Sequence, residues 1–392
     1  MSSTSATVAP TGRLPLFALL SLATAVFITS LTETLPAGLL PAMSGSLGAS
    51  ESATGQTVTV YALGTVLTAI PLSTATAGWR RKRLLLTSMA GFALANTVTA
   101  VSSEYSLTMV ARFVAGVAAG LAWALLAGYA RRLVAPASQG RAIAIAMAGI
   151  PVALCLGVPA GTFVGQLAGW RTAFLAMTVL TLVLLAWIGA AVPDFPGQPG
   201  GARPKMLPAL RIPGVAAVLF VTLVFVLAHT VLYAYLATFL TGLGMGDDTG
   251  LVLLTFGLAS IASIWIVGAQ IHRRLRLLMV VSSLLVAVAA ALLATEPALV
   301  YAAAALWGLG WGGVPTLLQT AAGDAGGESA DPVQAMLVTL WNAAMAAGGI
   351  VGGVLLDAAG SASFPWAVLV LMVPVLTVVL VARRHGFPAR TV

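Results

Sequence analysis

Two fully charged residues lie inside long apolar runs of the sequence, and their types suggest proton chemistry. Glu33 stands near the end of a run that begins at Leu14, and Arg112 stands near the start of another. A charge on a lipid-facing helix costs about 2.5–3.5 kcal/mol at the bilayer centre, so such side chains normally face protein or water. A carboxylate whose distance to a guanidinium changes during a conformational cycle also changes its proton affinity. Glu33 is therefore predicted to bind and release a proton, and Arg112 to bias the proton affinity of its carboxylate.

Each charge also has a simpler interpretation. Glu33 would be an interfacial carboxylate at a helix end, and Arg112 would brace backbone carbonyl groups. Glu33 follows Arg13 by about twenty residues, which is roughly 30 Å along a helix. With the orientation derived below, both charges lie in the outer third of the membrane, where they would pair directly or through water. Both interpretations stay open on sequence alone.

His229 is a third ionisable group in an apolar run, within the stretch LAHTVLYAYLATFL. Tyr233 follows it by four residues, so the two side chains share one face of a helix. This spacing favours a polar patch that lines a cavity and contacts substrate. Alternatively, His229 would relay protons, or it would be a packing residue that is held by a hydrogen bond.

The elements that carry these residues follow from composition. Hydrophobic residues make up 59% of the 392 residues and charged residues only 8%, far below the roughly 25% of a soluble domain. Apolar runs recur that are long enough to cross about 30 Å of hydrocarbon as helices. We predict an all-α membrane protein with twelve transmembrane helices, at residues 14–37, 54–75, 84–102, 107–128, 142–166, 172–192, 213–240, 249–270, 277–295, 298–320, 335–356 and 364–382.

The distribution of Lys and Arg predicts the orientation. If both termini are cytoplasmic, seventeen of the nineteen Lys and Arg residues fall on the cytoplasmic side, as expected because cytoplasmic loops of membrane proteins carry an excess of positive charge. The net charge of +8 is then a topology signal and a surface for anionic lipid, and no nucleic-acid partner is expected. These seventeen residues are Arg13, Arg80, Arg81, Lys82, Arg83, Arg131, Arg132, Arg141, Arg203, Lys205, Arg211, Arg273, Arg274, Arg276, Arg383, Arg384 and Arg390.

A polar segment rich in Pro and Gly, residues 193–212, divides the predicted helices into two sets of six. RRKRLLL from Arg80 recurs as RRLRLLM from Arg273, and Gly64 has a counterpart in Gly257 at the same offset. Such a repeat predicts two pseudo-symmetric six-helix bundles, residues 1–192 and 213–392, joined by a cytoplasmic linker. In this layout the substrate site lies at the midplane between the halves.

Five motifs in this order resemble the major facilitator superfamily, within its twelve-helix drug:proton antiporter and sugar-efflux branch. TETLPAGLLP (32–41) and YALG (61–64) resemble its first- and second-helix signatures, and RFVAGVAAG (112–120) its fourth-helix motif with Arg112 at the key arginine. GIPVALCLGVPAGTFVGQLAGWR (149–171) resembles the antiporter motif of helix five. PLSTATAGWRRKRLL (71–85) occupies the place of the loop between helices two and three. The resemblance implies a major facilitator fold and gating or motif roles for Arg80, Arg81, Arg83, Gly157, Pro159 and Gly161.

The resemblance also implies substrate contacts. Aromatic faces bind apolar or cationic molecules by stacking, and amides give adaptable hydrogen bonds. Besides His229 and Tyr233, the candidates for substrate binding are Tyr61, Trp307, Trp311, Gln319 and Asn342, with packing as the alternative for each.

One motif departs from the family. The aspartate expected in the loop after helix two is absent, because residues 74–78 read TATAG. Arg80 to Arg83 are therefore expected to lack that partner, and conformational exchange should depend on other contacts or be less tightly latched.

The sequence contains no zinc-ligand cluster, G-x-S-x-G elbow or Walker-type phosphate loop, so we expect neither an enzyme nor an ATP-driven pump, and no cofactor or metal. It predicts a monomeric secondary transporter that exports a small amphipathic molecule, such as a drug, an antibiotic or a sugar-like metabolite, in exchange for protons. A proton-coupled uptake symporter is one alternative. A receptor or scaffold that keeps the fold without transport is the other.

Overall fold

A computed structural model describes residues 14–135, 138–197 and 206–388, and throughout these ranges the regular structure is helical. Part of the predicted linker, residues 198–205, lies outside them, as do Arg13 and Arg390 of the charge distribution. The helices are α1 (Leu16–Thr34), α2 (Pro36–Leu47), α3 (Glu51–Ala75), α4 (Arg81–Val101), α5 (Tyr105–Arg132), α6 (Gln139–Met147), α7 (Gly149–Val152), α8 (Val158–Ala168), α9 (Trp170–Ala191), α10 (Met206–Ala209), α11 (Val215–Tyr233), α12 (Leu236–Gly242), α13 (Thr249–Thr295), α14 (Val300–Trp311), α15 (Val314–Gly326), α16 (Ala330–Ala359) and α17 (Ser363–Val381).

Ten helical segments of the described residues are long and apolar enough to cross a membrane. The other two predicted spans are helical as well. Span two is the unbroken α3, which is rich in Thr, and span ten is divided into α14 and α15, each shorter than a full crossing. Predicted spans eight and nine run together as α13, which bends where Arg274 leaves helical geometry. The all-helical membrane fold is thus confirmed, while the number twelve stays a prediction.

Several predicted spans are interrupted beside the candidate residues. Predicted span one is interrupted at Leu35, between α1 and α2. In span seven the helix α11 ends at Tyr233, and in span ten the helix α14 ends at Trp311. A five-residue π-helical turn, Ala153–Gly157, precedes Pro159 in the fifth. Proline has no N–H to donate to the carbonyl four residues earlier, which explains the breaks before Pro36, Pro159 and Pro315.

Glycines allow α3 and α5 to cross at close range. A Cβ atom at Gly116 would overlap the carbonyl group of Tyr61, whose carbon it would meet at 2.9 Å, and one at Gly64 would lie 2.6 Å from the carbonyl oxygen of Phe113. Thr65 Oγ1 donates a hydrogen bond of 3.1 Å to the Gly116 carbonyl oxygen across the same crossing. The small-residue spacing therefore brings the backbone that carries Tyr61 against the helix that carries Arg112.

This crossing predicts that alanine has different effects on stability at two glycines of α5. Gly116→Ala should lower the free energy of unfolding by about 1–3 kcal/mol, because the new methyl group meets backbone that cannot move aside. Gly128→Ala should leave stability unchanged or raise it by up to about 1 kcal/mol, because nothing lies within 4 Å of its Cβ position and alanine restricts the unfolded chain. Thermal unfolding of the two purified variants measures the difference. Equal melting temperatures would contradict the close crossing.

A polar seam joins α3 to α16 and to the segment after α11. Tyr235 Oη donates to the Gly349 carbonyl oxygen at 2.8 Å, and Gln56 Nε2 donates to the same oxygen at 3.1 Å. Ser52 Oγ donates to the Gly353 carbonyl oxygen at 3.2 Å. Both α3 residues lie near its N-terminal end, so this end of the molecule is held closed between helices that precede and follow the predicted linker.

Candidate functional site

Arg112 is fully buried and is held by backbone carbonyl groups of two other helices. Its Nη1 donates to the Thr32 carbonyl oxygen at 2.7 Å, and its Nη2 approaches the Glu33 carbonyl oxygen at 3.4 Å. Its Nε donates to the Thr57 carbonyl oxygen, also at 3.4 Å. The guanidinium therefore ties α5 to the end of α1 and to α3.

The reason for this arrangement lies in Pro36. The carbonyl of Thr32 would normally accept the N–H of the residue four positions later in the helix, and that residue is a proline. A carbonyl freed in this way inside a membrane protein must find another donor. Arg112 supplies that donor, which is the bracing interpretation of this residue.

The ring of Tyr61 packs against the guanidinium of Arg112. Its ring centroid lies 4.9 Å from the guanidinium carbon, and its hydroxyl donates to the Thr29 carbonyl oxygen at 3.0 Å. Tyr61 is itself fully buried. In this arrangement it is a buried support for Arg112, and the substrate contact predicted for it stays a prediction.

Glu33 is buried with 8% of its surface exposed, one turn or less from the break between α1 and α2. In the described part of the chain its carboxylate has no basic nitrogen within the 4.0 Å of an ion pair. Of the two pairings that the sequence left open, the direct one with Arg112 is not formed here, and the guanidinium is occupied by main-chain oxygens. The carboxylate does lie close enough to Arg112 and Tyr61 for an electrostatic interaction. A contact through water, and the proton-coupling role itself, stay predictions.

Polar groups next to this site have unused hydrogen-bonding capacity. Asn96 donates from Nδ2 to Thr32 Oγ1 at 3.1 Å, while its Oδ1 has no protein partner. Thr57 Oγ1 is likewise buried without a protein partner. Such groups normally find water or an ion, so they favour a hydrated pocket around Glu33 and Arg112. We call Glu33, Tyr61, Asn96 and Arg112 the polar cluster.

A second group of candidates forms an aromatic cluster, made of His229 and Tyr233 on α11, Phe256 on α13, and Trp307 and Trp311 on α14. The imidazole of His229 stacks on Trp311 with ring centroids 3.5 Å apart and an angle of 4° between the planes. Its centroid also lies 5.0 Å from that of Tyr233 and 5.3 Å from that of Trp307. Four residues proposed from the sequence thus meet in one place.

Phe256 completes the cluster and was missed by the sequence analysis. Its ring centroid lies 4.7 Å from that of Trp307 and 6.0 Å from that of His229. The available signal was its neighbour Gly257, the repeat counterpart of Gly64, because a residue beside a close-packing glycine lies near a helix crossing. A Cβ atom at Gly257 would lie 2.5 Å from Cα of Cys155 in the π-helical turn.

Two polar atoms in the aromatic cluster are buried without partners, Nδ1 of His229 and Oη of Tyr233. The two side chains belong to residues that are only 9% and 6% exposed. Buried polar atoms in native proteins are nearly always hydrogen-bonded, so each unsatisfied atom calls for an explanation. This pair distinguishes the cluster from ordinary aromatic packing.

Two other predicted substrate contacts lie apart from the cluster's ring contacts. Gln319 is exposed on α15, and its carbonyl oxygen accepts a hydrogen bond from Gln334 at 2.6 Å. Asn342 is buried on α16, where its Nδ2 donates to the Val338 carbonyl oxygen of its own helix at 2.9 Å. Among the described residues, neither amide has a hydrogen bond to a side chain of the aromatic cluster, and their substrate roles stay predictions.

The basic loop after α3 has an acidic partner that the sequence did not indicate. Arg80 forms an ion pair with Asp194, which follows α9, and the backbone N–H of Lys82 donates to the same carboxylate at 3.1 Å. Burial raises the pKa of the Asp194 carboxyl, but the hydrogen bonds from Arg80 and Lys82 outweigh it and hold the pKa below its usual range. The N–H of Arg81 donates to the Phe195 carbonyl oxygen at 2.9 Å. The expectation of a basic loop without its acid is therefore corrected: Asp194, 114 residues later in the chain than Arg80, takes that place at the same end of the helices.

The remaining motif residues have packing positions. Arg83 lies over the ring of Trp79, with 5.3 Å between the guanidinium carbon and the ring centroid. Gly157 and Gly161 face α1 and the break that follows it: Cβ atoms there would meet the Phe27 ring at 2.9 Å and the Leu35 side chain at 2.5 Å. Pro159 lies in the first turn of α8, directly after the π-helical turn. These contacts set the helix-five motif against the segment that carries Glu33, while the gating roles stay predictions.

Comparisons with known proteins agree with this architecture. The purine ribonucleoside efflux pump NepI of Escherichia coli strain K12 is 28% identical over 352 residues, which cover 88% of this chain and 89% of that protein. The transcription regulatory protein OpdE of Pseudomonas aeruginosa is 29% identical over 380 residues, covering 94% of each chain.

Two solved structures share the fold at low sequence identity. The human organic anion transporter MFSD10 superposes with a TM-score of 0.70 at 18% identity, covering 93% of this chain and 99% of that one. A bacterial homologue of the human lysosomal transporter Spinster, in an inward-facing and unoccupied conformation, superposes with a TM-score of 0.67 at 13% identity, covering 96% and 97%.

The family model of the Major Facilitator Superfamily matches residues 22–331, a range that includes the polar cluster and all five residues of the aromatic cluster. That range is well over half of the chain, and this protein therefore belongs to the Major Facilitator Superfamily of membrane transporters.

Proposed function

We propose that the protein exports a small amphipathic molecule across the cell membrane in exchange for protons. The observation that carries this proposal is Glu33, a buried carboxylate with no ion-pair partner among the described residues, beside an arginine that is occupied by backbone carbonyls. Membership of a transporter family supports transport, and the name of the Escherichia coli relative supports export.

The proton step requires that the surroundings of Glu33 change between conformations. Glu33 lies in the last turn of α1, two residues before the break at Leu35, so movement of α2 against α1 alters the access of its carboxylate to water. Exchange of water for protein around a carboxylate changes its proton affinity. Arg112 contributes by holding the backbone of the same segment, so that proton binding and helix movement are coupled.

Alternating access would use the polar seam. Tyr235, Gln56 and Ser52 hold α3 against α16 at the end of the molecule where Glu51 begins α3. The Lys and Arg distribution supports an orientation with this end outside the cell and both termini in the cytoplasm. Opening the seam while the two six-helix halves close at the other end would release substrate outward.

Two alternatives have support of their own. A proton-coupled uptake symporter would use the same buried carboxylate, with the proton and the substrate moving inward together. A regulatory receptor without transport is supported by the name of the Pseudomonas aeruginosa relative, a transcription regulatory protein that matches along nearly the whole chain.

Transport by proteoliposomes tests the three candidates. Liposomes containing the purified protein are loaded in turn with a panel of solutes that includes purine and pyrimidine nucleosides, and flux is followed after a pH jump. For an antiporter, an inward proton gradient should accelerate release of at least one solute. Accelerated uptake under that gradient would indicate a symporter instead. Absence of flux for every solute, from protein that remains folded, would favour the receptor.

A further inference from the structure

We infer that the aromatic cluster binds a flat, uncharged heteroaromatic ring of the transported molecule and that His229 and Tyr233 hydrogen-bond to the edge of that ring. This inference rests on the proposed transport function and names the substrate class. The relevant chemistry is that of a nucleobase or of a drug built on a similar ring.

The first argument is the geometry of the rings. Trp311 already holds one planar heteroaromatic ring, the imidazole of His229, at van der Waals distance and nearly parallel. Trp307, Phe256 and Tyr233 surround the same imidazole with centroids no more than 6.0 Å away. Aromatic faces arranged in this way bind planar rings by stacking, and the stacking tolerates different bases because each has a π-face.

The second argument is the pair of unsatisfied polar atoms. A neutral imidazole nitrogen and a phenol oxygen each donate or accept one hydrogen bond, depending on the tautomer and the rotation of the hydroxyl. Neither His229 Nδ1 nor Tyr233 Oη finds a protein partner, although both are buried. A ligand with adjacent donor and acceptor groups along a ring edge would satisfy both. An apolar ligand would satisfy neither.

The charge of the cluster argues against a cationic substrate. None of its five side chains carries a carboxylate, so a cation would lose its hydration without gaining a counter-ion there. Cation–π contact with Trp307 or Trp311 would be the sole compensation. The cluster is therefore better suited to a neutral ring than to a quaternary ammonium compound.

The position of the cluster fits a site that opens during transport. Phe256 precedes Gly257, where a Cβ atom would lie 2.5 Å from Cα of Cys155, so the cluster adjoins the π-helical turn of the opposite set of helices. Helix α11 ends at Tyr233 and α14 ends at Trp311. Interrupted helices and π-helical turns are frequent at functional sites, because the local backbone can rearrange there.

Equilibrium binding to the purified full-length protein tests the inference, with radiolabelled adenosine as the probe. Tyr233→Phe removes one oxygen and should weaken binding by about tenfold. Trp307→Leu removes a stacking face and should weaken binding by about tenfold or more. His229→Asn keeps a hydrogen-bonding group near Nδ1 and should lose less affinity than His229→Ala. The matched control is Trp265→Leu on α13, since Trp265 is 76% exposed and should not affect binding.

Competition defines the ligand class, and transport separates this inference from the proposed function. Unlabelled adenine should displace adenosine, whereas ribose and tetraphenylphosphonium should not. If the wild-type protein exports adenosine but Tyr233→Phe and Trp307→Leu bind it normally, the site is elsewhere and the inference fails while the function stands. Displacement by tetraphenylphosphonium as effective as by adenine would also overturn it. If the folded wild-type protein neither binds adenosine nor transports any solute, both proposals fail.

Discussion

Glu33→Gln should abolish the effect of a pH gradient on export while leaving exchange of substrate down its own gradient. Glutamine preserves the size of the side chain and most of its hydrogen bonding, but it cannot bind and release a proton. In the wild-type protein, a gradient of about one pH unit can support roughly a tenfold substrate ratio for each proton exchanged. In the variant this ratio should fall to about 1.

The measurement compares proteoliposomes with and without the imposed gradient, together with counterflow of labelled substrate at equal pH. Glu104→Gln is the matched control, because Glu104 is exposed in the loop before α5 and should behave like wild type. Gradient-driven accumulation by Glu33→Gln at the wild-type level would remove Glu33 from the mechanism. Loss of counterflow as well would mean that Glu33 is needed for substrate movement itself.

Arg112→Ala should lower the free energy of unfolding by about 2–5 kcal/mol. The substitution leaves a cavity beneath α1 and frees the carbonyl of Thr32 in an interior without another donor. Thermal unfolding in detergent, with correctly folded protein quantified by gel filtration, measures this loss.

The cause of that loss can be isolated by restoring the missing donor. Pro36→Ala returns an N–H to position 36, where it can donate to the Thr32 carbonyl oxygen within the helix. In the Arg112→Ala background this change should recover about 1 kcal/mol. In the wild-type background it should bring no such gain, because Arg112 already occupies that oxygen. The resulting coupling energy is read from a double-mutant cycle.

Pro41→Ala is the matched control for this cycle, because Pro41 lies inside α2 and its missing N–H concerns a different carbonyl. It should show no coupling with Arg112→Ala. Coupling as large as that of Pro36→Ala would contradict the proposed bracing. If the Arg112→Ala, Pro36→Ala double variant regains stability and also gradient-driven export, Arg112 acts by holding the backbone. If stability returns without proton coupling, Arg112 also acts on the proton of Glu33.

The ion pair of Arg80 with Asp194 changes how the cytoplasmic loop should be understood. The resemblance to the drug:proton antiporter branch implies an acid within that loop, and here the chain supplies one after α9 instead. The bonds from Lys82 and Arg81 draw the start of the predicted linker against the same loop. The loop is therefore tied to the segment that follows α9.

Local patterns in the sequence were sufficient for the helices. Apolar runs form helices because backbone groups in lipid must satisfy their own hydrogen bonds. The breaks before Pro36 and Pro159 also have a local cause, because proline has no N–H to donate. The four-residue spacing of His229 and Tyr233, which predicts one helix face, is confirmed by their stacked rings.

Contacts between distant segments were beyond such patterns. The bond from Arg112 to the Thr32 carbonyl joins residues 80 positions apart, and the bond from Arg80 to Asp194 joins residues 114 positions apart. Phe256 joins the aromatic cluster only through the crossing of α13 with α14. Each of these depends on the rotation and crossing angle of whole helices, which follow from the packing of many side chains at once.

The amino-acid sequence by itself thus determined that the chain is a bundle of membrane-crossing helices, with an acid, an arginine and a histidine–tyrosine pair placed within apolar runs. Hydrophobicity, proline and residue spacing act within a single helix, so they can be read from the chain alone. Only the tertiary structure decided that the arginine holds a carbonyl released by Pro36 and that the histidine contacts aromatic rings of two other helices, α13 and α14. Those outcomes depend on which faces of separate helices meet.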